Sequence, residues 1–71
     1  MGARILLAED EANILTSLTF LLEREGYAVF VETEGPKVLT SALSSPPDVL
    51  VLDVMLPEMD GYEILRRLRA T

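Results

Sequence analysis

Asp48-Val49-Leu50-Val51-Leu52-Asp53 is the stretch that decides the fold: an unbroken apolar run held between two aspartates. It is short, β-branched and free of polar interruption. That is the composition of a strand buried on both faces of a parallel sheet, and it predicts a strand deep within one. Ser44-Ser45-Pro46-Pro47 precedes it and ends any helix before it, because proline cannot continue a helix. Val54-Met55-Leu56-Pro57-Glu58-Met59 follows as a loop. Asp60 then reads as a helix N-cap, with Glu63 three residues on in a capping-box pattern. Ile64, Leu65 and Leu68 form the apolar side of that helix, and Arg66, Arg67 and Arg69 its polar side.

Upstream the same alternation appears twice. Arg4 to Ala8 carries the continuous run Ile5-Leu6-Leu7-Ala8, a second buried-strand signal, ended abruptly by Glu9-Asp10-Glu11. From about Ala12 to Glu25 the period changes. Ile14, Leu15, Leu18, Leu21 and Leu22 share one helical face, with Asp10 as the expected N-cap and Gly26 as the stop. Phe20 falls outside that stripe and is expected to be partly exposed. Tyr27 to Glu32 reads as another strand. Gly35-Pro36 opens a further helix, since proline suits a first turn, and Val38, Leu39, Ala42 and Leu43 supply its buried face. The order βαβαβα implies an α/β domain over residues 1–71: a parallel sheet flanked by helices, joined by right-handed crossovers. No internal repeat, linker or low-complexity segment interrupts it.

Composition bounds the function. The 71 residues contain 12 acids, 6 bases, no cysteine and no histidine, for a formal charge of −6. Disulfides, the usual zinc sites and histidine catalysis are excluded. An acidic chain is a poor ligand for nucleic acid, so no direct nucleic-acid binding is expected. No apolar run is long enough to span a membrane, and no signal-peptide pattern follows Arg4. A cytoplasmic location is the expectation.

Acids end two of the strands. Glu9 and Asp10 follow the first and Asp53 ends the third. In an open α/β sheet the carboxyl ends of the strands line one edge, where ligands bind. If the first and third strands are neighbours, the three carboxylates converge and repel one another. A hard divalent cation relieves this, and all-oxygen ligation favours magnesium. A carboxylate beside such an ion can attack phosphorus. Strand-terminal acids also serve plainer ends: Asp10 as a helix cap, Glu9 and Glu11 as solvated turn residues. That plain reading is weakest for Asp53, because a carboxylate ending so apolar a strand risks desolvation.

Three segments, in order and at matching spacing, resemble response-regulator receiver domains. They are Ile5-Leu6-Leu7-Ala8-Glu9-Asp10-Glu11, Leu21-Leu22-Glu23-Arg24-Glu25-Gly26-Tyr27, and Pro47 through Gly61 with its core Val51-Leu52-Asp53-Val54-Met55-Leu56-Pro57. The resemblance implies a flavodoxin-like (βα)3 portion of the receiver fold, with parallel strand order 2-1-3 and helices on both faces. It implies that Asp53 is a phosphoacceptor served by a partner histidine kinase. It implies that Glu9, Asp10 and Asp53 hold Mg2+ together with the backbone carbonyl of Met55. Asp10 would be the direct ligand. Glu9 stands where the family more often has aspartate, so its contact could run through water. Pro57 and Gly61 would shape the loop.

The family has five βα units and this sequence supplies three, so it reads as a partial, truncated receiver. The family's phosphate-sensing hydroxyl, its phosphate-pairing lysine and its aromatic switch position have no counterpart here. Lys37, at the start of the second helix, cannot be that lysine. Weak phosphorylation and no normal switching are therefore expected, with no enzymatic activity beyond the chain's own phosphoryl transfer and dephosphorylation. The third strand is then left at an edge, and such edges recruit other strands, so a homodimer or higher oligomer through it is expected. The alternative is an inactive, self-associating structural fragment. A phosphatase with an aspartate nucleophile would want a second acid two residues later, where Met55 stands.

Overall fold

The computed structural model describes residues 2–53, 56 and 58–70. Its elements follow the expected order: β1 (Arg4–Ala8), α1 (Ala12–Arg24), β2 (Ala28–Glu32), α2 (Gly35–Ser44), β3 (Val49–Leu52) and α3 (Gly61–Arg69). The strands form one parallel sheet in the order β2-β1-β3. Leu6 of β1 lies between Phe30 of β2 and Leu50 of β3, and Ala8 between Glu32 and Leu52.

Alternation along β1 divides the core. Leu6 and Ala8 face one side, where they cluster with Val38 and Ala42 of α2, Ile64 of α3, and Leu56. Leu50, Leu52, Met59 and Leu68 pack against that cluster. Ile5 and Leu7 face the other side and are 4% and 1% exposed. α1 is the helix left to cover them, and it packs along β2. One crossover runs from β1 out to β2 and the next runs back from β2 past β1 to β3; right-handed connections in opposite directions put their helices on opposite faces.

The helix ends have identifiable causes. The N-cap of α1 is Glu11, whose carboxylate accepts from the Asn13 N–H at 2.9 Å. This corrects the expectation that Asp10 caps it: the strand exit runs one residue further before the helix turns. Gly26 adopts φ +93 just past the Glu25 C-cap, a left-handed conformation that glycine takes without steric cost. Pro36 occupies the first turn of α2. Asp60 caps α3 by accepting from the Glu63 N–H at 3.0 Å. The reciprocal half of the box is replaced, because the Glu63 carboxylate accepts from Arg66 and Arg67 instead.

Burial departs from expectation in three places. β3 lies at the edge of the sheet, as the strand order 2-1-3 implies, and Val49 and Val51 are 48% and 37% exposed, against the deep burial that the apolar run alone suggests. Hydropathy registers what a strand can bury, whereas its place in the sheet sets how much it does bury. The α1 stripe is only half covered: Leu15, Leu18 and Leu22 are partly buried, while Ile14 and Leu21 are exposed. On α2, Val38 and Ala42 are buried but Leu43 is exposed. Phe20 is exposed, as its position off the stripe predicts. Among the described residues no helix is long and apolar enough to cross a membrane.

Candidate functional site

β1 and β3 are neighbours and parallel, so their carboxyl ends open on the same edge. Two backbone bonds carry the ladder beyond the strands. The Asp53 N–H donates to the Ala8 carbonyl at 2.9 Å, and the Glu9 N–H donates to the Glu32 carbonyl at 3.2 Å. The residues that leave the sheet here are therefore still held by it. Glu9, Asp10 and Asp53 each bring a carboxylate oxygen to one place, with all three oxygens within 4.8 Å of one another. Glu9 and Asp53 are half-buried and Asp10 is exposed.

The turn between β1 and α1 shapes this cluster. The Glu9 Oε2 accepts from the N–H groups of Asp10 and Glu11, at 3.0 and 3.1 Å. Those donors precede the helix and have no intrahelical partner, so the carboxylate satisfies them locally. A carboxylate offers about four acceptor sites, so these two bonds leave capacity for a cation. Because Glu11 rather than Asp10 caps α1, the Asp10 carboxylate is not committed to the helix end.

The donor set fits a hard divalent ion. Every donor is an anionic oxygen, the chemistry that suits magnesium or calcium rather than zinc or copper. At a magnesium–oxygen distance of about 2.1 Å, oxygens on opposite sides of the ion lie about 4.2 Å apart. The observed spread, within 4.8 Å, needs only side-chain adjustment to reach that figure.

The segment after Asp53 is anchored by Leu56, which is buried in the α2–α3 core cluster. Leu56 falls in a stretch that reads as loop, and its aliphatic side chain is the only signal there of this burial. Glu58 takes φ +70, a left-handed conformation that no local sequence signal announced. Gly61 begins α3 and is buried. The proposed Met55 carbonyl and Pro57 lie outside the described residues. Lys37 sits on α2 and pairs with Glu34 at 3.6 Å.

Comparison with known proteins agrees with this geometry. Residues 5–71 match the family model described as response regulator receiver domain. The chain is 45% identical over 69 residues to the alkaline phosphatase synthesis transcriptional regulatory protein PhoP of Bacillus subtilis (strain 168), covering 97% of this chain and 29% of that protein. It is 42% identical over 71 residues to response regulator MprA of Mycobacterium tuberculosis (strain ATCC 25618 / H37Rv), covering 100% of this chain and 31% of the relative. This chain thus spans about three tenths of the length of these relatives. Among solved structures it is similar to the receiver domain of sensor histidine kinase PA1611 from Pseudomonas aeruginosa PAO1, which has a magnesium ion coordinated in its active site cleft. The TM-score there is 0.95 at 34% identity, over 100% of this chain and 58% of that one. The N-terminal domain of a response regulator receiver protein from Methanoculleus marisnigri JR1 gives a TM-score of 0.87 at 34% identity, over 94% of this chain and 55% of that one.

Proposed function

Because the chain belongs to the response-regulator receiver family, we propose that Asp53 is its phosphoacceptor and that Glu9, Asp10 and Asp53, with the Met55 backbone carbonyl, hold a magnesium ion beside it. One observation carries the reading: the carboxylate oxygens of residues from two different strand ends lie within 4.8 Å of one another. Three like charges so gathered favour a divalent counterion.

The chemistry follows from the donor set. A carboxylate oxygen of Asp53 attacks the phosphorus of a phosphohistidine on a partner kinase. The new P–O bond forms as the P–N bond breaks, and the imidazole leaves with the electron pair. The bound ion would offset the combined negative charge of nucleophile and phosphoryl group. The Asp53 N–H bond to the Ala8 carbonyl fixes the backbone that carries this carboxylate at the sheet edge. Half-burial keeps its carboxylate reachable while limiting competing water. The phosphorylated aspartate adds charge and strong acceptor oxygens at the sheet edge.

The chain acts as a signalling module in the cytoplasm and catalyses nothing beyond its own phosphoryl transfer and dephosphorylation. It binds no nucleic acid or membrane itself. Lys37, the one lysine of the sequence, lies in the first turn of α2 and pairs with the N-cap Glu34. With that lysine engaged by Glu34, these residues accept a phosphoryl group slowly. Incubation with acetyl phosphate and Mg2+ tests this. Acid-stable, base-labile label on the wild type that is absent from Asp53→Asn supports the assignment; equal labelling of both proteins refutes it.

A second reading is favoured by the exposure of Val49 and Val51 on the β3 edge. In it the chain self-associates along β3 as an inactive structural fragment. Wild-type protein that oligomerises but takes up no label would select it.

A further inference from the structure

The other edge of the sheet, β2, carries a self-complementary pattern, and we infer that it pairs antiparallel with β2 of a second copy of this chain, about a two-fold axis at Phe30. This goes beyond the phosphotransfer reading and does not depend on it.

The backbone defines the register. The Ala28 N–H donates to the Ala3 carbonyl and the Glu32 carbonyl accepts from Glu9. In a parallel ladder the residues that bond to a given neighbour alternate. Ala28, Phe30 and Glu32 therefore bond inward to β1, and Val29 and Val31 turn their N–H and C=O groups outward. An antiparallel copy centred on Phe30 places Val29 opposite Val31 of the second copy, and Val31 opposite Val29. Both are then hydrogen-bonded pairs that satisfy the outward groups. Phe30 meets its own counterpart at the close, non-hydrogen-bonded position, where cross-strand aromatic pairs stabilise sheets.

The side chains agree. Arg4, Phe30 and Glu32 line one groove on the α2 face of the sheet. Phe30 is 48% exposed there, with the Arg4 guanidinium 5.0 Å from its ring centre. Arg4 sits beside Ala28 at one end of the strand and Glu32 lies at the other. Arg4 bonds only neutral partners with its side chain, the Pro46 carbonyl and Ser45, and Glu32 accepts from the Ser41 hydroxyl. Neither belongs to an ion pair among the described residues. The two-fold brings Glu32 of one copy opposite Ala28 of the other. Only the Ala28 methyl then separates it from Arg4, a gap of two strand spacings, about 9.6 Å between Cα atoms. Extended arginine and glutamate side chains span that gap, twice per dimer. Any other register in this antiparallel arrangement loses one of these matches.

Cysteine cross-linking tests the register, because the chain has no cysteine of its own. Cα atoms at a non-hydrogen-bonded pair lie within disulfide range. Phe30→Cys is expected to form a covalent dimer under mild oxidation at least tenfold faster than Thr33→Cys, whose copies would be about 20 Å apart. Adding Glu32→Lys to Phe30→Cys should slow that reaction several-fold at low salt. An equimolar mixture of Val29→Cys and Val31→Cys should yield mainly the mixed dimer, which keeps the question decidable if Phe30→Cys folds poorly. Phe30→Cys or the mixture remaining uncross-linked with a native circular-dichroism spectrum, or Thr33→Cys reacting as fast as Phe30→Cys, would overturn the inference.

Discussion

Gly35 and Met59 are in backbone contact: a Cβ built on Gly35 would lie 2.6 Å from the Met59 Cβ and 3.0 Å from its Cα. The first turn of α2 thereby seats against the segment that follows Asp53 and leads into α3. The space that glycine leaves is filled by main chain, which cannot swing aside as a flexible side chain can. Gly35→Ala is expected to destabilise the fold by about 1–3 kcal/mol through overpacking. Urea denaturation of the two proteins reads this, and an unchanged midpoint would show that the 58–60 segment yields freely.

The opposite sign is expected one residue before Met59. Glu58 holds φ +70, where a Cβ costs roughly 1–2 kcal/mol. Glycine relieves that cost but gives the unfolded chain more freedom, a loss of about 0.4–1 kcal/mol. Glu58→Gly should therefore raise stability by roughly 0.5–1 kcal/mol. A lowered melting temperature would contradict it.

Glu63 makes stability depend on acid pH. Hydrogen bonds from Arg66 and then Arg67 hold its carboxyl down from 4.5 to about 2. A group whose folded value lies below its unfolded value stabilises the fold fully above about 4.5, and that contribution is lost as pH falls towards about 2. The pairs are exposed, so salt should weaken the effect. Glu63→Gln should flatten the stability profile in this window while leaving the neutral-pH fold intact. Identical acid profiles for the two proteins, followed by circular dichroism, would rule the pairing out.

Without a cation the Glu9, Asp10 and Asp53 cluster is a site of like-charge repulsion. Two carboxylate charges at the 4.8 Å outer limit of this cluster repel by about 0.9 kcal/mol in water. Asp53→Asn and Asp10→Asn each remove two such repulsions and are each expected to stabilise the metal-free protein by about 1–2 kcal/mol. Magnesium should erase most of that advantage. Destabilisation by both substitutions in the absence of metal would mean that the carboxylates hold structural bonds instead.

Much of this was legible in the residues. The apolar runs at 5–8 and 49–52 named two strands, and the acids that end them named the edge where Glu9, Asp10 and Asp53 converge. The helical stripes, Gly26 and Asp60 marked helix bounds that the structure keeps. What escaped depends on three-dimensional context. Glu9, Asp10 and Glu11 are adjacent acids, and which one caps α1 is decided by the path of the turn, not by residue type. Ile14 and Leu21 belong to a stripe whose periodicity says nothing about how wide a cover the sheet provides. Val49 and Val51 are apolar enough for an interior strand; their hydropathy gives no sign of the edge position that the family's strand order implies and the sheet shows. The positive φ of Glu58 has no residue-level signature because glutamate is not a residue that seeks it.

As proposed above, Glu9, Asp10 and Asp53 act together as one cation site. A Mg2+ titration of the wild type, followed by amide resonances, measures this directly. One saturable transition is expected, with the largest shifts at residues 9–11 and 53 and at least tenfold weaker binding in Asp53→Asn and in Asp10→Asn. Shifts scattered over all surface acids, without saturation and unchanged by either substitution, would contradict it.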